Sequence, residues 1–343
     1  MKPPKLWFLG LAAVVNLLLG TGQGAAQTKI TACNTTISAA GSYLVTANLT
    51  TTSTSTPCIK VTAGFVTIDL SGFVLTGNGA SSGISASAGP LTITNGFIKS
   101  FGVGVSAPAA RVKLSEVTLL ANKGAGASLG DNAAARDSKF INNGADGLDV
   151  GKSALITQCI FLGNSGNGLK ARASAVLTEN VASSNGSTIP TSAGFEIDGS
   201  ASVSGNSASD NTAITDGFGD AGGGSTFEGN TASSNGAEGF ATLGDGAFIG
   251  NCAVGNNDTG IDDGEGSTFE ANTANFNGID GLSTDAGANF VTNTADSNGN
   301  SSGFGINVFC PVNLVVNTAE DNDSGAFTNH GTSGCSETVN LGF

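Results

Sequence analysis

The chain has 343 residues, with 27 Asp and Glu against 13 Lys and Arg, one histidine, six cysteines and 52 glycines. A formal net charge of −14 argues against a nucleic-acid or anionic-membrane partner, because phosphate binding depends on Lys and Arg. So many glycines, together with abundant Ser, Thr and Asn, exclude a helical protein and leave short strands and turns.

The first 26 residues carry Lys2 and Lys5, an apolar run from Leu6 to Leu19 and the small residues Gly24, Ala25 and Ala26. This three-part pattern predicts a secretory signal peptide over 1–26, cleaved after Ala26. No other stretch approaches the ~18 apolar residues that span a bilayer, so the mature chain is expected to be exported, secreted or periplasmic, with no membrane span. Export places the cysteines in an oxidising compartment. Cys33 is expected to pair with Cys58 in an N-terminal cap with the opening strands (27–58), and Cys310 with Cys335 near a C-terminal cap (326–343). Cys159 and Cys252 are expected to be buried free thiols.

Between the caps, over 59–325, one unit recurs. A glycine followed by a mostly apolar residue begins twelve units, from Gly83-Ile84 and Gly104-Val105 through Gly147-Leu148 and Gly217-Phe218 to Gly303-Phe304 and Gly325-Ala326. Ten asparagines share one phase: Asn122, Asn143, Asn164, Asn185, Asn211, Asn235, Asn256, Asn277, Asn298 and Asn322. After each glycine, apolar and polar residues alternate, as in Leu148-Asp149-Val150 and Phe195-Glu196-Ile197, which is the period of a half-buried strand. A unit of about 21 residues cannot bury a face alone and must stack on its neighbours. The expected fold is all-β, a right-handed parallel β-helix (β-solenoid) of about 12 turns with an Asn ladder and capped ends. At about 4.8 Å per turn the rod is on the order of 55 to 60 Å long.

A second series lies five residues before the first, beginning at Asn95, Val117, Ser138 and Cys159 and continuing through Asn180 to Asn317. Two residues after it come Phe97, Leu119, Phe140 and Phe161, then alanines from Ala182 to Ala319. Phe227, Phe248, Phe269 and Phe290 appear three residues before the series only where the other position is alanine. Large and small side chains swap sides along the rod, which keeps a close-packed interior filled.

The units Asn143-Gly144-Ala145-Asp146-Gly147-Leu148-Asp149-Val150 and Asn272 to Leu282 resemble the right-handed parallel β-helix repeat family, the pectate-lyase-like superfamily of exported proteins. It includes pectate lyases, polygalacturonases and alginate-modifying epimerases. The resemblance covers about residues 58–330; it is specific for fold and weak for activity. The polygalacturonase motifs do not carry over. Asp146-Gly147-Leu148-Asp149 echoes one, but the next turn offers Gly166-Asn167-Gly168, and the single histidine, His330, has no basic residue after it. Serine hydrolase chemistry needs a histidine beside the nucleophile, and no Cys/His cluster has zinc-ligand spacing.

All thirteen Lys and Arg lie at or before Arg172, while 21 of the 27 acidic residues follow it. Calcium is the natural cation for such carboxylates and for turn carbonyls. Where the two halves meet, the outward positions of three consecutive strands carry Asp149, then Lys170 and Arg172, then Glu196 and Asp198. The longest insertion, 187–192, falls beside them. Two readings stand open. Lys170 and Arg172 act as catalytic groups on a uronic acid polymer, with Asp149, Glu196 and Asp198 as binding residues and calcium ligands; or the five charges form an alternating-sign ladder that offsets repulsion between strands.

With Trp7 in the signal, the remaining chain has a single tyrosine, Tyr43, and few ring surfaces for sugars. The leading expectation is therefore a monomeric, exported binding or scaffold module associated with a polysaccharide. The alternative is a calcium-dependent polysaccharide lyase or epimerase acting on uronic acid polymers.

Overall fold

The computed structural model describes residues 27–187, 192–212, 214–300, 302–329, 335–338 and 340–341. The expected signal peptide, His330 and most of the 187–192 insertion lie outside them. Each turn of the chain lays down three short strands, as in Leu148–Val150, Leu155–Thr157 and Ile160–Leu162. The first strand of each turn joins a 14-stranded parallel sheet that runs the length of the rod, called sheet 1 below. The other two build a 24-strand sheet with two limbs, sheet 2. The fold is the expected right-handed parallel β-helix with an Asn ladder, of about 14 turns and on the order of 60 Å long. Among the described residues no helix is long and apolar enough to cross a membrane.

The corners between strands are single residues in the left-handed region. Asp137, Gln158 and Glu179 turn one corner, with φ of 50°, 55° and 55°, and Asn142 and Ser184 turn the next, with φ of 51° and 56°. Directly after each such residue comes a ladder position, and there the asparagines complete the hydrogen bonding that a tight turn leaves open. Asn143 Oδ1 accepts from Asn122 N–H at 3.1 Å and from Asn122 Nδ2 at 2.9 Å. Its own Nδ2 donates to Leu119 O and to Asn164 Oδ1. Both ladders are buried and repeat this pattern along the coil.

The interior confirms the large-for-small exchange. Ala135, Ile156, Leu177, Val203, Phe227, Phe248, Phe269 and Phe290 follow one another in register along one limb. On the other limb Leu119, Phe140 and Phe161 give way to Ala182, Ala208, Ala232, Ala253 and Ala274. The rings stack one per turn, with centroids 5.0 Å apart for Phe248 and Phe269 and 4.4 Å for Phe269 and Phe290. A second stack, Phe195, Phe218 and Phe240, rises inside sheet 1 and meets the first edge-on.

Several expectations are corrected. Two turns precede the first glycine-apolar unit: Thr35–Ile37 pairs with Ile59–Val61, which pairs with Ser82–Ala86. Asn34 and Cys58 stand there in place of the ladder glycine, which hid these turns from the repeat count. The 27–58 segment thus supplies a coil of its own. Near the start of the rod the phase is one residue later than read from Asn95 and Phe97. Gly96 pairs with Val117 and Ile98 with Leu119, so Ile98 is buried while Phe97 is 43% exposed. Asn95 turns the corner, and the Leu70 side chain packs where a Cβ on Gly96 would lie.

At the far end Leu282 pairs with Ile306, and Ile306 with Phe327, so Gly305 and Ala326 hold the ladder position rather than Gly303 and Gly325. A loop lengthened after Asn298 causes the slip.

The disulfides Cys33–Cys58 and Cys310–Cys335 form as expected. Cys159 is a buried free thiol in a ladder position, accepting no asparagine but donating its N–H to Asn180 Oδ1. Cys252 is not fully buried: it follows the inward Asn251 and so points outward from sheet 2, partly exposed.

Candidate functional site

On sheet 1 the outward side chain two residues after each ladder glycine forms one line along the rod. In register it reads Ser106, Ser128, Asp149, Lys170, Glu196, Gly219, Ala241, Asp262, Ser283 and Asn307. The five charges singled out in the sequence do meet here. Lys170 lies between Asp149 and Glu196 on adjacent strands. Arg172 donates from Nη1 to Asp149 Oδ1 at 2.9 Å and lies 3.5 Å, through Nε, from Asp198 Oδ2. A depression of about 320 Å³ opens beside this pair, lined in part by Ser128, Asp131, Asp149, Lys152 and Arg172.

Asp149 and Asp198 therefore converge on the Arg172 guanidinium rather than on a shared cation position. Among the described residues no three or more His, Cys, Asp and Glu side chains stand at metal-ligand spacing. The set Asp149, Glu196 and Asp198 does not fit a calcium ion in this arrangement.

A second line, one residue before the ladder glycines, carries the half-buried Asp146, Asp216 and Glu238 and the buried Asn167 and Asp280, with Ala193 and Thr259 in the turns between. The sequence expectation covered only outward positions after the ladder glycine and passed over this one, although Asp-Gly or Glu-Gly at 146, 216, 238 and 280 is visible in the sequence. Asn167 donates to Asp146 Oδ1 through both N–H and Nδ2, and Asp280 accepts from Phe304 N–H and Asn307 Nδ2. Glu238 N–H donates to Asp216 Oδ1 at 3.3 Å.

In the two turns where the first line shrinks to Gly219 and Ala241, the sheet has a notch with carboxyls on every side: Glu196 before it, Asp262 after it, Asp216 and Glu238 along its edge. The absent side chain of Gly219 makes the convergence possible. A Cβ there would lie 3.0 Å from Glu196 Oε2 and 3.9 Å from Asp216 Oδ2.

Crowding and burial hold protons on this notch. The Asp216 carboxyl is pushed up to about 8, first by burial, then by a side-chain hydrogen bond with Glu238 and by the charges of Glu238 and Glu196. Burial raises Asp262 to about 6, against a hydrogen bond from Ser283. Burial likewise raises Glu196, while the Lys170 charge opposes it. At neutral pH the notch therefore presents both a proton-bearing carboxyl at Asp216, which donates, and the Asp262 carboxylate, which accepts.

A parallel β-helix with a continuous polar sheet face and a carboxyl-lined notch is the class of protein that fold and site define. The chain is similar in structure to a double mutant of the periplasmic alginate epimerase AlgG, with a TM-score of 0.55 at 13% identity over 82% of this chain and 76% of that one. It is similar also to the A-module of an Azotobacter vinelandii mannuronan C-5 epimerase, with a TM-score of 0.53 at 15% identity over 87% of each chain. A tailspike protein of bacteriophage CBA120 matches with a TM-score of 0.50 at 13% identity, over 92% of this chain and 55% of that one. Identities at this level establish the fold alone. No family model matches the sequence, and no curated protein matches it.

Proposed function

We propose that the protein is an exported β-helix that binds polysaccharide along the outward face of sheet 1, acting outside the cell as a glycan-associated binding and scaffold module. The observation that carries this reading is the notch at Gly219 and Ala241, where Asp216, Glu238, Glu196 and Asp262 offer donors and acceptors of the kind sugar hydroxyls pair with. The polar lines continue on both sides of it at about 4.8 Å per turn, so a chain laid along the rod meets a new polar group at each turn. Weak contacts repeated in this way add up through avidity. The two disulfides support an oxidising compartment. The acidic face favours neutral sugars, and an anionic polymer would need a bridging cation such as calcium.

Affinity electrophoresis of the mature chain through gels containing neutral and uronic polysaccharides tests this. Retardation by at least one polymer, lost by tenfold or more in Gly219→Gln with unchanged thermal melting, is the expected result. Free migration through the whole panel would remove the proposal.

One observation favours a second reading, a lyase or epimerase on uronic acid polymers. Asp216 at about 8 and Asp262 at about 6 are poised to exchange protons near neutral pH on the same face as Lys170. Removing the proton beside a uronate carboxylate needs a base and a nearby positive charge. In this reading Lys170 supplies the charge, and Arg172 holds Asp149 and Asp198 in place. New ultraviolet absorbance from an unsaturated sugar, assayed with and without calcium and absent in Lys170→Ala, is the lyase signature; altered uronate composition without absorbance is the epimerase one.

A further inference from the structure

Among the described residues sheet 2 carries a contiguous apolar patch at its middle, apart from Phe97, which is exposed three turns earlier. Leu155, Ile160, Leu162, Val176 and Val181 point outward and are 49%, 37%, 39%, 40% and 40% exposed. They occupy two adjacent turns, Leu155 pairing with Val176 and Ile160 with Val181. These are the sixth and seventh turns of the coil, at the middle of the rod. The same columns hold Ser202 and Ser207 in the next turn and Thr226 and Thr231 in the one after. On the C-terminal side the run of large apolar residues in these two columns thus gives way to Ser and Thr after two turns.

Charge is divided by that centre. On the N-terminal side sheet 2 presents Lys99, Lys113 and Lys139, while Arg136 pairs with its neighbour Asp137 at 2.7 Å. On the C-terminal side it presents Glu228, Glu270, Asp296 and Glu320. No Lys or Arg follows residue 172 anywhere in the chain.

We propose that a second copy of this chain covers the patch, the two rods packing antiparallel about a two-fold axis near Val181. Such an axis sets Val176 and Val181 against the same residues of the second copy, with Leu155 and Ile160 one turn away across from Ser202 and Ser207, and sets the lysine-bearing half of each rod against the carboxylate-bearing half of the other. A parallel dimer or trimer through the same face would place acidic half beside acidic half, with repulsion along its length. A two-fold axis is also the commonest symmetry of soluble assemblies. The interface leaves sheet 1 open, so it stands whether or not the notch binds a glycan. It replaces the monomer expected from the sequence.

The chain holds its own probe. Thr118 and Cys252 lie in one outward column, three turns before and three turns after Val181. Within one copy they are about 29 Å apart, too far for a bond. In the antiparallel pair each Thr118 faces Cys252 of the second copy.

The experiment is mild oxidation of Thr118→Cys and of the unaltered chain at low salt, with sedimentation equilibrium of both. The expected result is a covalent dimer from Thr118→Cys alone and a reversible dimer of the unaltered chain. That dimer is weakened tenfold or more by Ile160→Thr with Val181→Thr, which place in this column the residue type already found at Thr231 and Thr273, and also by raised salt. Two results overturn the proposal: an unaltered chain that cross-links through Cys252 alone, which marks a parallel pair, or one that remains monomeric at tens of micromolar.

Discussion

Asp216 and Glu238 stand on neighbouring turns, with the backbone N–H of Glu238 donating to Asp216 Oδ1 at 3.3 Å and the Glu238 side chain close enough to raise the Asp216 carboxyl. Burial and this contact keep a proton on Asp216 at neutral pH, which ties the state of the notch to pH.

The folded state holds a proton on Asp216 up to about 8, against an ordinary value of 3.8. Between these limits the native chain binds more protons than the unfolded one, so stability is fullest below about pH 4 and declines as pH rises through about 8, by at most about 1.4 kcal/mol per pH unit for one proton. Asp262, raised to about 6, acts with the same sign over a narrower window. Thermal melts at pH 5 and pH 8 should show the lower midpoint at pH 8, and Asp216→Asn should flatten the difference. An undiminished difference in that variant would place the pH dependence elsewhere.

Asn230 Oδ1 accepts from both Asn206 N–H and Asn206 Nδ2, and Asn230 Nδ2 donates to Val203 O at 2.8 Å. Asn230→Ala strands these buried groups, and at about 1–3 kcal/mol per orphan the loss should reach roughly 3 kcal/mol or more. Asn230→Asp keeps the acceptor but sets a carboxylate against Asn251 Oδ1, the acceptor of Asn230 Nδ2. Urea unfolding should find both variants destabilised, with the Asp form recovering part of its loss at pH 4.

Phe248 stacks between Phe227 and Phe269 and is fully buried, while Ala253 on the other limb of the same turn is small. Phe248→Ala should cost about 3–5 kcal/mol through its cavity, and Ala253→Phe should cost about 1–3 kcal/mol through overpacking. Because the rod exchanges large for small across these limbs elsewhere, the double variant should be more stable than the sum of the singles, by about 1 kcal/mol or more. Strict additivity in denaturant melts would mean that the two columns pack independently.

Arg172 bridges Asp149 and Asp198, but all three side chains are about a third exposed. Arg172→Met should therefore change stability by less than about 1 kcal/mol at physiological salt. Under the lyase or epimerase reading the same substitution should lower turnover tenfold or more, because Asp149 and Asp198 lose the group that holds them. A large loss of melting temperature would reveal a structural role instead.

Much of this was legible in the residues themselves because a stacked coil translates sequence spacing directly into distance. One turn is about 21 residues, so Asp149, Lys170 and Glu196 had to become neighbours once the period was read. Where the period breaks, the reading slips. The lengthened loop after Asn298 moved the phase from Gly303 to Gly305; near the start the 21-residue spacing is kept, with Gly96 and Ile98 in phase and Asn95 a left-handed corner residue one place before them. The first two turns lack the glycine signal altogether.

The sequence by itself determined the architecture, the two disulfides, the exchange of phenylalanine for alanine and the meeting of the five charges. Each follows from a repeat whose polar and apolar phases must align when turns stack. Only the tertiary structure decided that Asp149 and Asp198 close on Arg172, that Cys252 faces outward, and that Glu196 and Asp216 lean together over Gly219. Side-chain direction at a corner and burial at a notch depend on the strands above and below at once, and linear spacing does not carry that information.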